Sequence, residues 1–593
     1  MARKKLISAE LITTYAWVIW LVLMLLAVLY YFGFFVTTPN NYRECVPETD
    51  GWQVTYSTLC ENMTIIMNGN LTITSGGSLI LRNTTLIMNG SKDGQLAIEV
   101  RPRGEMRVLD NDNNSTTTWD RSRVMNGDNA SANFIFFVHA DSKFEMRNSE
   151  LSNAGYRLYD TTKGLNIAGN GAIISGNVIK GNVYGLIISG AEIKVINNTI
   201  SDSLYGIYVG SSASSIRIES NSILKNNVGV YLAPRSSRVE IVGNMIAENH
   251  GTGVFLEDSA NNSIIRNTDV RNDRGVYLNN SASNLIEGNT ISGNSNGIVV
   301  ESSGYNTIRT NDITSNSLYG LLLASSNNNT VATNSIRDCF QCITLQMSNG
   351  NRFLDNSIAD GKNAMSFFYS NFNDIKGNNV TKNLQSIVLQ NSESNSVSKN
   401  KLVENSNGIG LMNSTSNYVG SNSVSKSSYG VWLYSSHLNS VVDNDLTQNV
   451  QGLWFHFAYK NNATDNTMKG NNVSIVLSSS VGNNIYLNSM EGGTQYGIDI
   501  YNSSSNKIWE NRIASNGGGV RTSISISNEF KKNDIENNGN DGVYFESSTD
   551  IFTANTVKGH AQYGVYCYNS NPTFAGNFIL NNGNNCDGCA GCN

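Results

Sequence analysis

Apolar residues recur along most of this chain at fixed offsets from an asparagine that returns about every 22 residues. In the stretch GNTISGNSNGIVVESSGYNTIRTN, residues 288 to 311, an apolar residue stands two positions after Asn289 and another three positions before Asn311. A third apolar position follows a glycine, where Ile298 and Val300 alternate and so share one face. Each period therefore predicts three short strands with polar corners. No period contains an apolar stripe of helical spacing.

The repeated asparagine sets the register of the whole repeat region, and a fixed period of this length is typical of stacked structural repeats. Its positions are Asn177, Asn198, Asn221, Asn244, Asn267, Asn289, Asn311, Asn334, Asn356, Asn378, Asn400, Asn422, Asn444, Asn466, Asn488, Asn511, Asn533, Asn555 and Asn577. Three short strands per turn, each beside its counterpart in the next turn, predict an all-β fold, a right-handed parallel β-helix of about 22-residue coils. We expect the stacked amides to form a structural ladder inside the corner, with a second ladder five residues earlier.

The division of the chain follows from where this pattern holds. We predict a cytoplasmic stub and apolar helix at 1–36, a cysteine-containing linker at 37–61, irregular first coils and a cap at 62–170, the regular β-helix at 171–580 and a cysteine-rich cap at 581–593. The irregular part contains a polar insertion at residues 110 to 128. Coils of a solenoid contact only their neighbours, so the length of 593 residues does not require several globular domains.

Composition adds two limits. Asn, Ser and Gly are abundant, which alone would fit disorder, but the strict apolar offsets indicate a packed solenoid. The net charge of −6 gives no basic surface for nucleic acid, so we expect no nucleic-acid partner.

The N-terminal region predicts a single membrane span. Residues 15 to 36 are apolar and uncharged, a run long enough to cross a bilayer as a helix. Arg3, Lys4 and Lys5 precede it, so the positive-inside rule places the N terminus in the cytoplasm and the bulk of the chain outside the cell. No small-residue cleavage site follows the run, which favours a retained anchor.

The same region carries a family resemblance. ELITTYAW, residues 10 to 17, followed by the apolar run, resembles the N-terminal helix of archaeal type IV pilin-like proteins with class III signals. The resemblance implies cleavage between Lys5 and Leu6, and self-assembly through Glu10, which would pair with the new amino terminus of a neighbouring subunit. It covers about the first 35 residues, and an ordinary signal anchor is the alternative.

The eight cysteines fit an exported, oxidised chain. Cys45 and Cys60 are the obvious pair, and Cys339 and Cys342 form a CxxC for which we predict a local disulfide. At the C-terminal end the candidates are Cys567, Cys586, Cys589 and Cys592. We predict disulfides there, with a zinc or iron–sulfur site as the alternative. Frequent Asn-x-Ser/Thr sequons fit a surface glycoprotein, although this composition also produces them by chance.

Aromatic residues follow the glycine-containing strand on its outward side. They are Tyr208, Tyr231, Phe255 and Tyr277, then Trp432 and Trp454, then Tyr544 and Tyr566. Such rings bind the apolar faces of sugars or simply stabilise the sheet. Our predicted binding face is Trp432 with Trp454, beside Tyr434, His456 and Asp499.

Acidic residues offer a weaker catalytic hypothesis. Asp443 and Asp465 share a repeat position, and at about one coil spacing they could act as the acid and nucleophile of a retaining glycosidase. A solvated corner is the simpler interpretation. Asp269 falls in an inward position, and we expect a bulge at Val270 to turn it outward. The five histidines share no repeat position, so we predict no metal site and no cofactor.

The repeat Asn-x-Ile, Gly-Ile-x-Leu, Ser-Ser-x-Asn-x-Ile resembles the β-helix repeats of carbohydrate-binding proteins and sugar hydrolases, and of NosD-like copper accessory proteins. The matched residues build coils, so the resemblance implies fold more than function. The function we predict is surface contact or glycan binding by a membrane-anchored, extracellular protein without catalysis, of archaeal type. The alternatives are a pilin-like filament subunit and a polysaccharide lyase or glycoside hydrolase.

Overall fold

The structure, a computed structural model, describes residues 42–127, 132–156, 162–211 and 213–592, together with Trp20 and Met24. Glu10 and most of the expected membrane span at residues 15 to 36 lie outside the described residues. Trp20 and Met24 are helical. In the part of the chain that is described, no helix is long and apolar enough to cross a membrane.

The described residues form three parallel sheets, because each coil contributes one strand to each sheet and pairs with the coils before and after it. Sheet 1 has 24 strands, from Arg43–Glu44 to Thr573–Ala575. Sheet 2 has 23, from Thr64–Met67 to Phe578–Leu580, and sheet 3 has 24, from Trp52–Val54 to Asn584–Asp587. At ~4.8 Å per coil, the stack is about 110 Å long. The predicted all-β parallel β-helix is confirmed.

Three consecutive coils near the middle of the rod show the strand bounds that matter below. Sheet 1 contains Tyr418–Gly420, Ser440–Val442 and Asn462–Thr464. Sheet 2 contains Ser423–Ser425, Asp445–Thr447 and Thr467–Lys469, and sheet 3 contains Tyr429–Tyr434, Gln451–His456 and Val473–Ser478.

The core is a set of apolar rows that run along the rod. In sheet 2, Ile291, Ile313 and Ile336 stack in register and are fully buried. In sheet 1, Ile308 and Val331 do the same. Each buried aliphatic side chain stabilises the folded state by roughly 1.5–3 kcal/mol. The short strands are therefore stabilised by apolar side chains that pack against those of both neighbouring coils.

The asparagine ladder fills the corner between sheets 1 and 2. The Asn311 amide donates from Nδ2 to Asn334 Oδ1 (3.0 Å) and to the Ile286 carbonyl (3.0 Å). Its own Oδ1 accepts from the backbone N–H of Asn289 (2.9 Å). The same bonds recur at Asn289, Asn334 and Asn356. The ladder is therefore structural, as the repeat predicts. It satisfies buried backbone groups that would otherwise cost about 1–3 kcal/mol each.

Two further polar rows were not predicted from the sequence. Asn294 lies five residues after Asn289, and its Oδ1 accepts from the Asn272 N–H (2.7 Å). A serine row closes another turn, where the Ser281 N–H donates to Ser303 Oγ (2.8 Å). The sequence pattern that could have predicted these two rows is present in the same repeat. Small polar residues recur there at fixed offsets, which indicates that most corners are closed by side chains of the next coil.

The N-terminal end of the rod differs from the expected division of the chain. Residues 43–61, expected as a linker, instead contribute the strands Arg43–Glu44, Trp52–Val54 and Ser57–Glu61. They join the sheets because Trp52 and Val54 are buried and pair with Leu71 and Ile73. The solenoid therefore begins close to the expected membrane span.

All eight cysteines form disulfides. The pairs are Cys45–Cys60, Cys339–Cys342, Cys567–Cys589 and Cys586–Cys592. The predicted disulfides at Cys45–Cys60, at the CxxC and at the C-terminal end are confirmed. The C-terminal connectivity, which the sequence left open, ties the sheet 3 strand Tyr563–Tyr568 to the terminal segment.

Asp269 corrects one sequence-based expectation. No bulge is present, because Asp269 pairs in continuous register with Ile246 and Ile291 and points into the core, where it is 1 % exposed. Asn272 Nδ2 donates to its Oδ1 (2.8 Å). Burial raises the pKa of Asp269 to about 8, so this carboxyl is neutral at physiological pH.

Candidate functional site

The outward row of sheet 3 brings the predicted aromatic residues into register. Tyr208, Tyr231, Phe255 and Tyr277 pair in consecutive coils, and neighbouring rings lie 4.7–5.3 Å apart between centroids. Farther along the same row, Trp432 pairs with Trp454. Tyr544 and Tyr566 also pair and stack in this row, at 5.5 Å between centroids. Because all these positions face away from the core, the row carries three separate aromatic segments on one side.

The second segment is the candidate site. We call Tyr429, Trp432, Tyr434, Trp454 and His456 the aromatic patch; it lies on the strands Tyr429–Tyr434 and Gln451–His456. Stacked rings join Tyr429 to Trp454 (4.8 Å between centroids) and Trp454 to His456 (5.2 Å). Tyr434 lies 5.5 Å from His456. The patch is thus a continuous aromatic surface across two coils.

Trp432 is less exposed than the sequence suggested. Only 8 % of the residue is accessible, because its indole lies flat over Gly410 in the preceding coil. A Cβ at position 410 would stand 2.2 Å from Trp432 Cζ2. The glycine therefore provides the space into which the indole folds, and Trp454 and Tyr434 form the accessible part of the patch.

Polar atoms without partners distinguish this patch from an ordinary packed sheet surface. Trp432 Nε1, His456 Nδ1 and Gln451 Oε1 are buried and make no hydrogen bond. Burial also holds the pKa of His456 below its ordinary value, so the imidazole is neutral at physiological pH. Unsatisfied buried groups cost about 1–3 kcal/mol each, and three on adjacent strands require an explanation.

Asp499 does not belong to this patch. It lies in the same outward row, two coils beyond Trp454, with Val476 between them. Its carboxylate accepts two hydrogen bonds from the Arg521 guanidinium, at 2.8 and 2.6 Å. The Arg521 guanidinium also lies 5.0 Å from the Tyr496 ring centroid. The Asp499 carboxylate is therefore neutralised by a neighbouring coil.

Asp443 and Asp465 do not form a catalytic pair with the patch. Both lie at the exposed corner between sheets 1 and 2, in the left-handed backbone conformation (φ 55° and 56°). Ser421 Oγ donates to Asp443 (2.9 Å), and Thr464 Oγ1 donates to Asp465 (3.0 Å). The exposed corner and the local hydroxyl bonds fit the alternative of a solvated corner.

Comparison with known proteins agrees with the fold. Residues 385–541 match the family described as periplasmic copper-binding protein (NosD), and residues 133–291 and 274–424 match the right-handed beta helix region. With the sheets above, these matches define the chain as a parallel β-helix repeat protein. No curated protein matches the sequence.

Several solved structures show a weak similarity to this chain. The periplasmic alginate epimerase AlgG, as a point mutant, is 15 % identical over 55 % of this chain and 77 % of its own, with a TM-score of 0.37. DFA-IIIase from Arthrobacter chlorophenolicus A6 is 11 % identical over 58 % and 83 %, with a TM-score of 0.32. The Dettilon tailspike protein is 14 % identical over 56 % and 62 %, with a TM-score of 0.27. Similarity at this level concerns the fold alone.

Proposed function

We propose that this protein binds polysaccharide through the aromatic patch, without catalysis. The observation that supports this most directly is the combination of stacked rings with the three unpartnered polar atoms Trp432 Nε1, His456 Nδ1 and Gln451 Oε1. A ligand that satisfies them must present an apolar face and hydrogen-bonding groups at the same time.

A sugar ring has this combination of groups. Its C–H face packs on an aromatic ring, as on the accessible side of Trp454, while its hydroxyls both donate and accept. The indole N–H is a donor and the Gln451 amide oxygen is an acceptor. Both atoms are covered in the free protein, so a hydroxylated ligand has to displace the side chains above them before it bonds to them. Sheet 3 continues beyond the patch in both directions along the rod, which leaves room for a chain of sugars.

The placement of the acidic residues supports binding without catalysis. No residue of the aromatic patch is a carboxylic acid, and the nearest acid in its row, Asp499, is paired with Arg521. Asp443 and Asp465 lie at another corner of the coil. A glycosidase needs two carboxyl groups on either side of one glycosidic bond.

The proposed location rests on the N-terminal sequence. An apolar run at residues 15 to 36, preceded by Arg3, Lys4 and Lys5, supports a single span with the β-helix outside the cell. The four disulfides fit this oxidising location. Intact mass of the membrane-derived protein separates a retained anchor from the pilin-like alternative, which requires loss of residues 1 to 5 and assembly through Glu10.

Retention of the detergent-solubilised full chain on a panel of immobilised polysaccharides tests the binding. We expect at least one polysaccharide to retain the protein, and Trp454→Ala to weaken that binding about tenfold, the equivalent of one lost stacking contact of roughly 1.4 kcal/mol. The matched control is Trp119→Ala, because Trp119 is exposed but lies in the polar insertion near the N-terminal end. Equal retention of Trp454→Ala, or no retention on any polysaccharide, would contradict the proposal.

A further inference from the structure

The polar insertion near the N-terminal end gathers acidic side chains. It connects the sheet 1 strand Glu105–Leu109 to the sheet 2 strand Arg123–Asn126, whereas the same corner in the preceding coil is formed by Asn83 and Thr84 alone. Residues 110 to 122 thus replace a two-residue corner with a long loop. The loop contains Asp110, Asp112 and Asp120.

The three carboxylates converge, although Asp120 lies eight residues after Asp112 in the loop. One oxygen of each lies within 4.8 Å of an oxygen of the other two. The loop is fixed at its base by the neighbouring coil, where Asn148 Nδ2 donates to Asp110 Oδ2 (3.1 Å). Ser122 Oγ donates to the Leu109 carbonyl (2.6 Å), which closes the two ends of the loop.

One buried carboxylate oxygen of the cluster has no hydrogen-bond partner. Asp120 is completely buried, and its Oδ1 accepts no hydrogen bond, whereas its Oδ2 accepts two long backbone bonds of 3.3 Å. Asp110 is only 4 % exposed. Among the described residues, no Lys or Arg forms an ion pair with any of the three acids. Buried carboxylates without a cation raise the free energy of the folded state, so a bound cation would stabilise this site.

We propose that Asp110, Asp112 and Asp120 bind a calcium ion. Calcium takes six to eight oxygen ligands at about 2.4 Å, and one oxygen of each acid can reach a common ion because these oxygens lie within 4.8 Å of one another. Magnesium demands a near-ideal octahedron and usually keeps several waters, so a loop that offers several protein oxygens suits calcium better. The spacing Asp110-x-Asp112-x-Asn114 is that of calcium loops, although Ser115 replaces the usual glycine and Asp120 supplies the later carboxylate.

The bound ion has a structural role in this arrangement. It neutralises the buried charge of Asp110 and Asp120 and ties the beginning of the loop, at Asp110 and Asp112, to its end at Asp120. This role is independent of the polysaccharide site, which lies many coils away on sheet 3.

Terbium luminescence tests the site directly, because Tb³⁺ has the ligand preferences of Ca²⁺ and is sensitised by a nearby indole. Trp119 is adjacent to Asp120 in the sequence. After chelator treatment, we expect the full chain to give a saturable sensitised emission that Ca²⁺ displaces at least tenfold more effectively than Mg²⁺. The absence of a saturable signal, or equal displacement by Mg²⁺, would overturn the proposal.

Three variants separate calcium binding from unfolding. Asp112→Asn alters an exposed side chain, so we expect an unchanged far-UV circular dichroism spectrum but an affinity for Ca²⁺ reduced at least about tenfold. Trp119→Phe should lose the terbium signal and keep calcium binding in calorimetry. Asp338→Asn, at an exposed corner of a distant coil, should change neither. Undiminished calcium affinity in Asp112→Asn would refute the assignment.

Discussion

His560 shows how the ladder constrains a single residue. It occupies the row that contains Asn538 in the preceding coil and Asn582 in the following coil. Its Nδ1 accepts from the Asn538 N–H (3.1 Å), and its Nε2 lies 3.0 Å from the Ile535 carbonyl. One nitrogen must accept and the other must donate, so the position requires a neutral imidazole with its proton on Nε2.

This requirement gives a pH dependence. Burial lowers the pKa of His560 below its ordinary value of 6.5, so the folded chain binds fewer protons than the unfolded chain between the two pKa values. The stability from neutral His560 is present above pH 6.5 and is lost as the pH falls towards the folded pKa. We expect His560→Asn, which restores the ladder amide, to lose less Tm than the wild type between about pH 7.5 and about pH 5.

Calorimetry of the wild type and of His560→Asn at both pH values measures the change in Tm of each protein. Subtracting one change from the other removes the contribution of the other histidines, which both proteins share. Protonation breaks the bond from the Asn538 N–H, worth about 1 kcal/mol. His250→Asn provides a control at an exposed histidine. Parallel pH profiles for the wild type and His560→Asn would contradict the argument.

At the scale of elements, the C-terminal strands depend on covalent ties. The last strands of sheets 1 and 2, Thr573–Ala575 and Phe578–Leu580, are mostly exposed because no later coil covers them. The strand Asn584–Asp587 still pairs with Tyr563–Tyr568. The disulfide Cys567–Cys589 joins the strand Tyr563–Tyr568, which contains Cys567, to Cys589, two residues after the strand Asn584–Asp587.

Removal of this disulfide should release the end of the rod. We expect the double variant Cys567→Ala/Cys589→Ala to destabilise the last coil by about 2–4 kcal/mol while the central coils stay folded. Hydrogen exchange read by mass spectrometry should show faster exchange in residues 563 to 587 only. The double variant Cys339→Ala/Cys342→Ala is the control, and unchanged exchange at the C-terminal end would count against the expectation.

At the scale of the whole molecule, the repeat makes the rod one-dimensional. Every strand pairs with its counterparts in the neighbouring coils, and the Asn378 amide meets Asn400 at an offset of 22 residues. Stability is therefore close to a sum over coils and their interfaces. Such a chain tolerates a change in the number of coils but not a change in register.

Deletion of one complete coil tests this property. Without residues 379–400, Asn378 takes the place of Asn400, and each new neighbour has the residue type that the ladder needs. We expect a folded rod with a Tm within a few degrees of the wild type, since one coil among more than twenty is lost. Deletion of residues 379–389 breaks the register at one coil, so we expect a local loss of structure and a larger fall in Tm than the whole-coil deletion gives. Similar behaviour of both deletions would contradict the nearest-neighbour model of the rod.

The aromatic patch and the acidic loop mark the limit of sequence reasoning. The periodic pattern predicted that Trp432 and Trp454 share a row, because equal offsets lie in register in a parallel stack. It did not predict that the Trp432 indole folds over Gly410, because side-chain space depends on the residue one coil away. The prediction that Asp269 points outward was wrong for a related reason. The local sequence resembled a bulge, but pairing of Asp269 with Ile246 and Ile291 in the neighbouring coils keeps the register.

The sequence by itself determined the coil, its period, its ladders and the local disulfides Cys45–Cys60 and Cys339–Cys342, since each arises from neighbours at a fixed offset or a short separation. Only the tertiary structure decided which polar atoms of the patch lack partners, which C-terminal cysteines pair, and that Asp110, Asp112 and Asp120 meet in one loop. Those features depend on how non-periodic segments pack against the rod, and the energies of such contacts leave no repeating trace in the order of residues.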